Sequence, residues 1–238
     1  MTMSDNPDAI PILNGRRLLL GVCGSIAAYK AADLASKLTQ AGAQVDVLLT
    51  EAATRFVSPL TFQSVTGRWA GMDAELWGPE AHILHVELGR GADLLVIAPA
   101  TATTLARLAH GRADNLLALT ALAVGCPLLL APAMDAGMFE HAATQANLRT
   151  LQGRGATIAG PGEGRMASGL VGRGRMLDPV ELVGHIRLTL GAGGPLRGRS
   201  VVVTAGGTQE PLDPVRVLAN RSSGKQGYAL AQAALDRG

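Results

Sequence analysis

The chain has 238 residues, 47% of them hydrophobic, enough to bury the core of one full domain plus part of another. Its 21 basic and 19 acidic residues give a net charge of +2 and form no Lys/Arg blocks, so no nucleic-acid partner is expected; no apolar run approaches the roughly 20 residues of a membrane span. Cys23 and Cys126 lie in different apolar segments without metal-type spacing, so neither a disulfide framework nor a metal site is expected, and the reading is a cytoplasmic protein with both thiols reduced.

Residues 1–14 are polar and read as a flexible tail. Arg17 to Val22 forms a short apolar strand that runs straight into Cys23-Gly24-Ser25. From Ile26 to Ala41, the residues Ile26, Tyr29, Leu34 and Leu38 recur at near-helical spacing, with Ser25 placed to cap the start and Gly42 to end it. Val45 to Leu49 is a second apolar strand, and strand, helix and strand in this order make a βαβ unit that predicts a parallel sheet. The alternation continues with a strand at Asp93 to Ala98, helices at Thr101 to His110 and Asn115 to Val124, and a strand at Pro127 to Ala131. A helix at Met138 to Gln152, a strand at Ala156 to Ala159 and a helix at Pro179 to Leu190 complete the pattern. Gly160 to Arg175, rich in Gly and Arg and without periodicity, reads as a functional flap. Residues 15–190 therefore form one α/β domain, a doubly wound parallel sheet in three layers. A linker at 191–198 leads into a fragment of a second α/β domain at 199–238, with a strand at Ser200 to Thr204, a tight loop at Ala205 to Thr208 and a helix at Lys225 to Arg237.

In open α/β sheets, ligands bind at the carboxyl ends of the strands, where helix N-termini offer free N–H groups to anions. Gly24-Ser25-Ile26 is placed for this, although a glycine turn after a strand serves equally as a structural element.

Four segments carry a more specific signal: GVCGSIAAYK (Gly21 to Lys30), LLTEAATRFV (Leu48 to Val57), HVELGRGADLLVIAPATATTLARLA (His85 to Ala109) and APAMDAGMF (Ala131 to Phe139). Together they resemble the homo-oligomeric flavin-containing cysteine decarboxylase family, collinearly over about residues 16 to 190. Behind the linker, TAGGTQEPLDPVRVLANRSSGKQGYALA (Thr204 to Ala231) resembles the opening of phosphopantothenate-cysteine ligase, the arrangement of bifunctional coenzyme A proteins. The resemblance implies a flavodoxin-like, Rossmann-type fold, FMN as cofactor, 4′-phosphopantothenoylcysteine as substrate, and a homotrimer or a dodecamer of trimers. It further implies that Gly24, Ser25 and Ile26 face the FMN phosphate or ribityl chain, with Thr50 at the end of the second strand. Pro99, Ala100, Thr101 and Thr104 would form a second flavin loop, in which Thr103 replaces a frequent family Asn. Phe56 either stacks on the flavin ring or packs in the core. His85, in HVELG, is the expected base, since histidine is the side chain that exchanges protons near neutrality. Ala133, Met134, Asp135 and Met138 would meet the substrate, and Asn220 falls at an active-site position of the ligase family.

Two positions depart from the family pattern at the reacting centre. Where the family has Asn after Pro-x-Met, this chain has Asp135, and a carboxylate only accepts hydrogen bonds, so it opposes the substrate carboxylate. Ser168 stands at the place of the proton-donating cysteine, and a hydroxyl is a far weaker acid than a thiol. The reading is an FMN-dependent decarboxylase slowed at both steps. The alternatives are an oxidative decarboxylase that releases an enethiol, which Ser168 permits, and an inactive flavin-binding regulator, which Asp135 permits. One strand and one helix cannot form a ligase core, so ligase activity is not expected of this chain.

Overall fold

The computed structural model describes residues 9–77, 81–165, 169 and 171–238. Contacts divide the chain into a unit ending at Thr189 and a unit of Leu190–Gly238.

The first unit is built on β1 (Arg17–Val22), α1 (Ala28–Gln40), β2 (Gln44–Leu49), α2 (Pro59–Thr66), β3 (Ala70–Met72), α3 (Ala81–Arg90) and β4 (Leu94–Ala100). It continues through α4 (Ala102–Ala109), α5 (Leu116–Ala123), β5 (Leu128–Pro132), α6 (Ala136–Glu140), α7 (Ala142–Gly153) and β6 (Thr157–Ile158). A hairpin of β7 (Gly162–Arg165) and β8 (Val171–Arg175) precedes α8 (Pro179–Gly191).

All six strands of the main sheet run parallel, in the order β3-β2-β1-β4-β5-β6. This is the expected doubly wound, flavodoxin-like three-layer sheet, and of the two common orders in that class it has the Rossmann one. The central strands are apolar throughout because helices cover both of their faces: every residue of β4, and Leu18 to Val22 in β1, is buried. Small residues let the layers approach closely. The winding direction reverses between β1 and β4, and the loops leaving their carboxyl ends diverge there to open a crevice.

Several local expectations give way to tertiary packing. Residues 9–14 are not a loose tail: Leu13 is fully buried, and the Ile10 and Gly15 amides donate to the carbonyls of Ala41 and Gly42. Helix α1 starts at Ala28, two residues later than the apolar spacing suggests. Ser25 Oγ accepts from the Ala27 amide in the preceding turn and does not cap the helix, while Ile26 and Tyr29 are exposed. The buried stripe is Ala28, Ala31, Leu34, Ala35 and Leu38, joined by Lys30. The single helix expected from Met138 to Gln152 is two, because His141 breaks it with an extended backbone and caps α7 by accepting from the Ala143 amide. The flap is an antiparallel hairpin whose Gly/Arg alternation carries no apolar signal.

In the second unit the expected strand at Ser200 to Thr204 does not form; Val202 is almost fully exposed, and no strand lies beside it among the described residues. An antiparallel pair, β9 (Gln209–Pro211) and β10 (Val217–Ala219), is present, followed by α9 (Lys225–Leu235). The linker residues form tight turns, with Gly194 N donating to Gly191 O and Leu196 N to Arg237 O.

Candidate active site

Loops at the carboxyl ends of four parallel strands surround a cavity of about 630 Å³. Cys23, Gly24 and Ser25 follow β1, Thr50 to Ala52 follow β2, Thr101 to Thr104 follow β4, and Ala133 and Met134 follow β5. Five hydroxyl residues, Ser25, Thr50, Thr101, Thr103 and Thr104, contribute to its wall. Thr101, Thr103 and Thr104 stand at the start of α4 and Ser25 in the turn before α1, where unpaired backbone amides add donors, and Thr50 stands at the end of β2. Thr101 caps α4 by accepting from the Thr104 amide at 3.3 Å, and its hydroxyl donates to Thr104 Oγ1 at 3.2 Å. Thr50 Oγ1 accepts from the Ala53 amide at 3.3 Å.

Glu51, Asp73 and Asp114 supply the acidic groups on this wall, and the last two are engaged. Asp73 accepts from the Glu51 amide at 2.9 Å and the Leu116 amide at 3.1 Å, tying the β2 loop to the start of α5. Asp114 is paired with Arg107 and Arg112, each at 2.8 Å. The loop at Gly24 is a cradle that a side chain would fill: a Cβ there would stand 2.5 Å from Ala52 Cβ. A hydroxyl-rich wall beside helix starts fits a phosphate-bearing cofactor held by hydrogen bonds.

Cys23 forms the floor of this cavity. Its Sγ accepts from Thr104 Oγ1 at 3.1 Å, and burial pushes the thiol up from 9.0 to about 11, so it stays protonated and unreactive at neutral pH. Between pH 9.0 and about 11 the unfolded chain has lost this proton and the folded chain keeps it, so stability should fall as pH rises through that window. Urea midpoints taken from about pH 8 to about pH 10.5 should therefore drop more steeply for the native sequence than for Cys23→Ala. Equal slopes would contradict the assignment.

A second cavity, about 380 Å³, lies between the start of α1, the β5 end and the hairpin. Ser25, Ala133 and Met134 border both cavities, while Ile26 and Asp135 border only the second. Asp135 caps α6 through Oδ1, which accepts from the Gly137 amide at 3.0 Å. Met138 reaches the first cavity.

The remaining expected site residues are dispersed. Pro99, joined to Ala98 by a cis peptide, and Ala100 are buried behind the wall of the first cavity and do not line it. Phe56 is 49% exposed and lines neither cavity, which removes the core alternative. His85, on α3, also borders neither; its Nδ1 is buried with no hydrogen-bond partner among the described residues. Ser168 lies outside the described residues. Asn220 belongs to the second unit, where its Oδ1 accepts from the Ser222 amide at 3.0 Å. Asp73, Arg107, Asp114 and Asn115 join the first cavity without having stood out in the sequence, since three separate elements bring them together.

A hydroxyl-lined crevice at the switch point of a doubly wound sheet is a flavoprotein arrangement, and residues 12–191 match the Flavoprotein family. The chain belongs to that family. Residues 196–238 match the DNA/pantothenate metabolism flavoprotein C-terminal domain. Among curated proteins, the chain is 46% identical over 226 residues to the coenzyme A biosynthesis bifunctional protein CoaBC of Vibrio vulnificus, covering 95% of this chain and 56% of the relative. The chain thus spans about half the length of the curated relatives it matches. One similar solved structure is a PPC decarboxylase with a cysteine mutated to serine, complexed with pantothenoylaminoethenethiol. It is 34% identical at a TM-score of 0.67, over 74% of this chain and 98% of that one. The FMN binding protein AtHal3 is 33% identical at a TM-score of 0.65, over 74% and 96%.

Proposed function

We propose that the first unit binds FMN in the switch-point cavity and decarboxylates 4′-phosphopantothenoylcysteine to 4′-phosphopantetheine during coenzyme A synthesis in the cytoplasm. The observation that carries this reading is the hydroxyl-lined cavity after β1 and β4, which shares Ser25, Ala133 and Met134 as wall with a second cavity of about 380 Å³. FMN, when bound, supplies the hydride acceptor that lets a cysteine carboxylate lose carbon dioxide.

The chain's own residues divide the remaining work. Gly24, Ser25, Thr101 and Thr104 hold the cofactor's phosphate and ribityl end, and Thr50 closes that wall. Ala133, Met134 and Met138 orient the cysteine end of the substrate between the cavities. Asp135 stands at the carboxylate-binding position and Ser168 at the proton-donating one, so each weakens a different step.

His85 takes the thiol proton, and a second subunit brings it to the cavity, because within one chain it lines neither space. The exposed Ile26, Tyr29, Phe56 and Leu60 give such an assembly apolar surface to bury. A homotrimer, or a dodecamer of trimers, satisfies this requirement. The serine at 168 also favours a second reading, release of the enethiol, and the cysteine-to-serine PPC decarboxylase holding pantothenoylaminoethenethiol makes that product concrete.

The test is the purified protein itself, which should be yellow with noncovalent FMN and should elute as a trimer or larger by light scattering. A colourless monomer that cannot be reconstituted with FMN would overturn the proposal.

A further inference from the structure

Asp73 follows β3, the edge strand of the main sheet, and opens the short 3-10 helix Asp73–Trp77. Its two carboxylate oxygens reach different parts of the chain. Oδ2 accepts from the Glu51 amide, behind β2, at 2.9 Å, and Oδ1 accepts from the Leu116 amide, the first of α5, at 3.1 Å. Among the described residues these oxygens meet backbone amides and no cation. Asp114, the other engaged acid of the first cavity, is held instead by two arginines. A carboxylate whose oxygens both go to main-chain donors of separate loops fixes backbone geometry, where a pairing with arginine balances charge.

The β2 loop that Asp73 grips is bonded within itself and moves as a piece. The Ala53 amide donates to the Thr50 carbonyl at 2.9 Å, and Thr54 Oγ1 donates to the Glu51 carbonyl at 2.7 Å. The Thr50 amide donates to the Val22 carbonyl at 3.0 Å, so the sheet ladder fixes the loop at its base and Asp73 fixes it one residue further on, at Glu51. The same loop lies against the Gly24 turn, so closely that a Cβ on Gly24 would stand 2.5 Å from Ala52 Cβ. A shift of Glu51 is therefore felt at Thr50, Ala52 and Gly24 together, all of which line the first cavity. On its other side Asp73 holds the start of α5, where Asn115, also in that wall, accepts from the Ala118 amide at 2.8 Å.

We propose that Asp73 is a positioning residue for FMN: it acts through the backbone, clamping the β2 loop to the start of α5 so that Thr50 and the Gly24 turn keep the spacing a phosphate needs. The proposal rests on the FMN-binding reading and deepens it. Hydrogen bonds to a phosphate weaken steeply with distance and angle, so a loop freed by a fraction of an ångström loses phosphate affinity first. The rest of the flavin, which is uncharged, depends less on that spacing. Asp73 thereby supports the discrimination between FMN and riboflavin, two ligands that differ only in the phosphate.

Fluorescence titration of the full chain after removal of its flavin, with FMN and riboflavin as paired probes, tests the assignment. Asp73→Ala leaves both amides without their charged acceptor and should lower the preference for FMN over riboflavin by at least about tenfold. Asp73→Asn should lose part of that preference, because it offers one acceptor oxygen and the two amides approach different ones. This milder variant answers the question if the alanine variant does not fold. Glu75→Gln is the control: Glu75 accepts from the Met72 amide at 3.1 Å in the same turn and borders neither cavity, so the preference should be unchanged. The proposal is refuted, and the flavin reading stands, if both Asp73 variants keep the full preference, if FMN and riboflavin weaken equally in them, or if Glu75→Gln shows the same loss. If the native sequence binds neither flavin, both fail together.

Discussion

Replacing Gly24 by alanine should strip the purified protein of its flavin while leaving the fold intact. A Cβ at this position would lie 2.5 Å from Ala52 Cβ, 3.0 Å from the Ala52 carbonyl carbon and 3.1 Å from its oxygen. None of these atoms belongs to a flexible side chain that could swing aside, so the β1 and β2 loops must separate. Both loops form the wall of the first cavity, and a displacement there moves Ser25 and Thr50 off the geometry that hydrogen bonds to a phosphate require. Losing two charge-assisted bonds at about 1.5–3 kcal/mol each corresponds to weaker FMN binding by roughly two to four orders of magnitude. The ratio of flavin absorbance to protein absorbance after purification, followed by fluorescence titration of the apoprotein, measures this. Gly153→Ala is the control, because that glycine is exposed in α7 with nothing within 4 Å of a new Cβ. Stoichiometric flavin in Gly24→Ala would show that the cofactor does not rest on this loop.

Strand positions were legible in the sequence because central parallel strands are apolar on both faces, and β1, β2, β4 and β5 all lie inside or within a residue or two of the apolar runs that mark them. The turn at Gly24 and Ser25 was legible too, as a glycine loop behind such a strand, whereas Thr50, Thr101 and Thr104 came from the family resemblance; all five line the first cavity. Elements with weaker patterning were not. The segment from Pro59 to Arg90 holds α2, β3 and α3, whose short lengths and mixed faces leave little periodicity, although Ser58 caps α2 and Gly67 ends it in the left-handed region. Lys30 shows a different limit: a lysine in a helical repeat reads as solvated, and only the hairpin folding over α1 buries it against Met176 and Asp178. His85 marks the limit of a single chain. Its motif singles it out, but within one chain it borders neither cavity, and the partner subunit of the proposed assembly is what would bring it to the site.

Restoring the two family residues should repair two separable steps, and the structure makes the first substitution unusually clean. Asp135 is the N-cap of α6, and Asn serves that position as well as Asp, so Asp135→Asn should keep the bond to the Gly137 amide and the local fold. What changes is the charge: on the proposed reading, the carboxylate facing the substrate carboxylate is replaced by an amide donor. At about 4 Å and an effective dielectric near 20 the repulsion is roughly 4 kcal/mol, and solvent at this partly exposed site reduces it. Flavin reduction on anaerobic mixing with 4′-phosphopantothenoylcysteine should therefore accelerate by at least about tenfold. The product of this variant should remain largely the enethiol, two hydrogens lighter than the saturated thiol, because a serine hydroxyl at 168 is too weak an acid to deliver the final proton. With hydride return blocked, each turnover should need an external oxidant such as oxygen to reset the flavin. Ser168→Cys alone should leave the slow first step unchanged. Only Asp135→Asn combined with Ser168→Cys should yield 4′-phosphopantetheine at speed and restore the flavin absorbance within the same cycle, without oxygen. Mass spectrometry of the product and stopped-flow absorbance separate these outcomes. Rapid formation of 4′-phosphopantetheine by the native sequence would show that neither residue limits the reaction and that another group, or an ordered water, donates the proton.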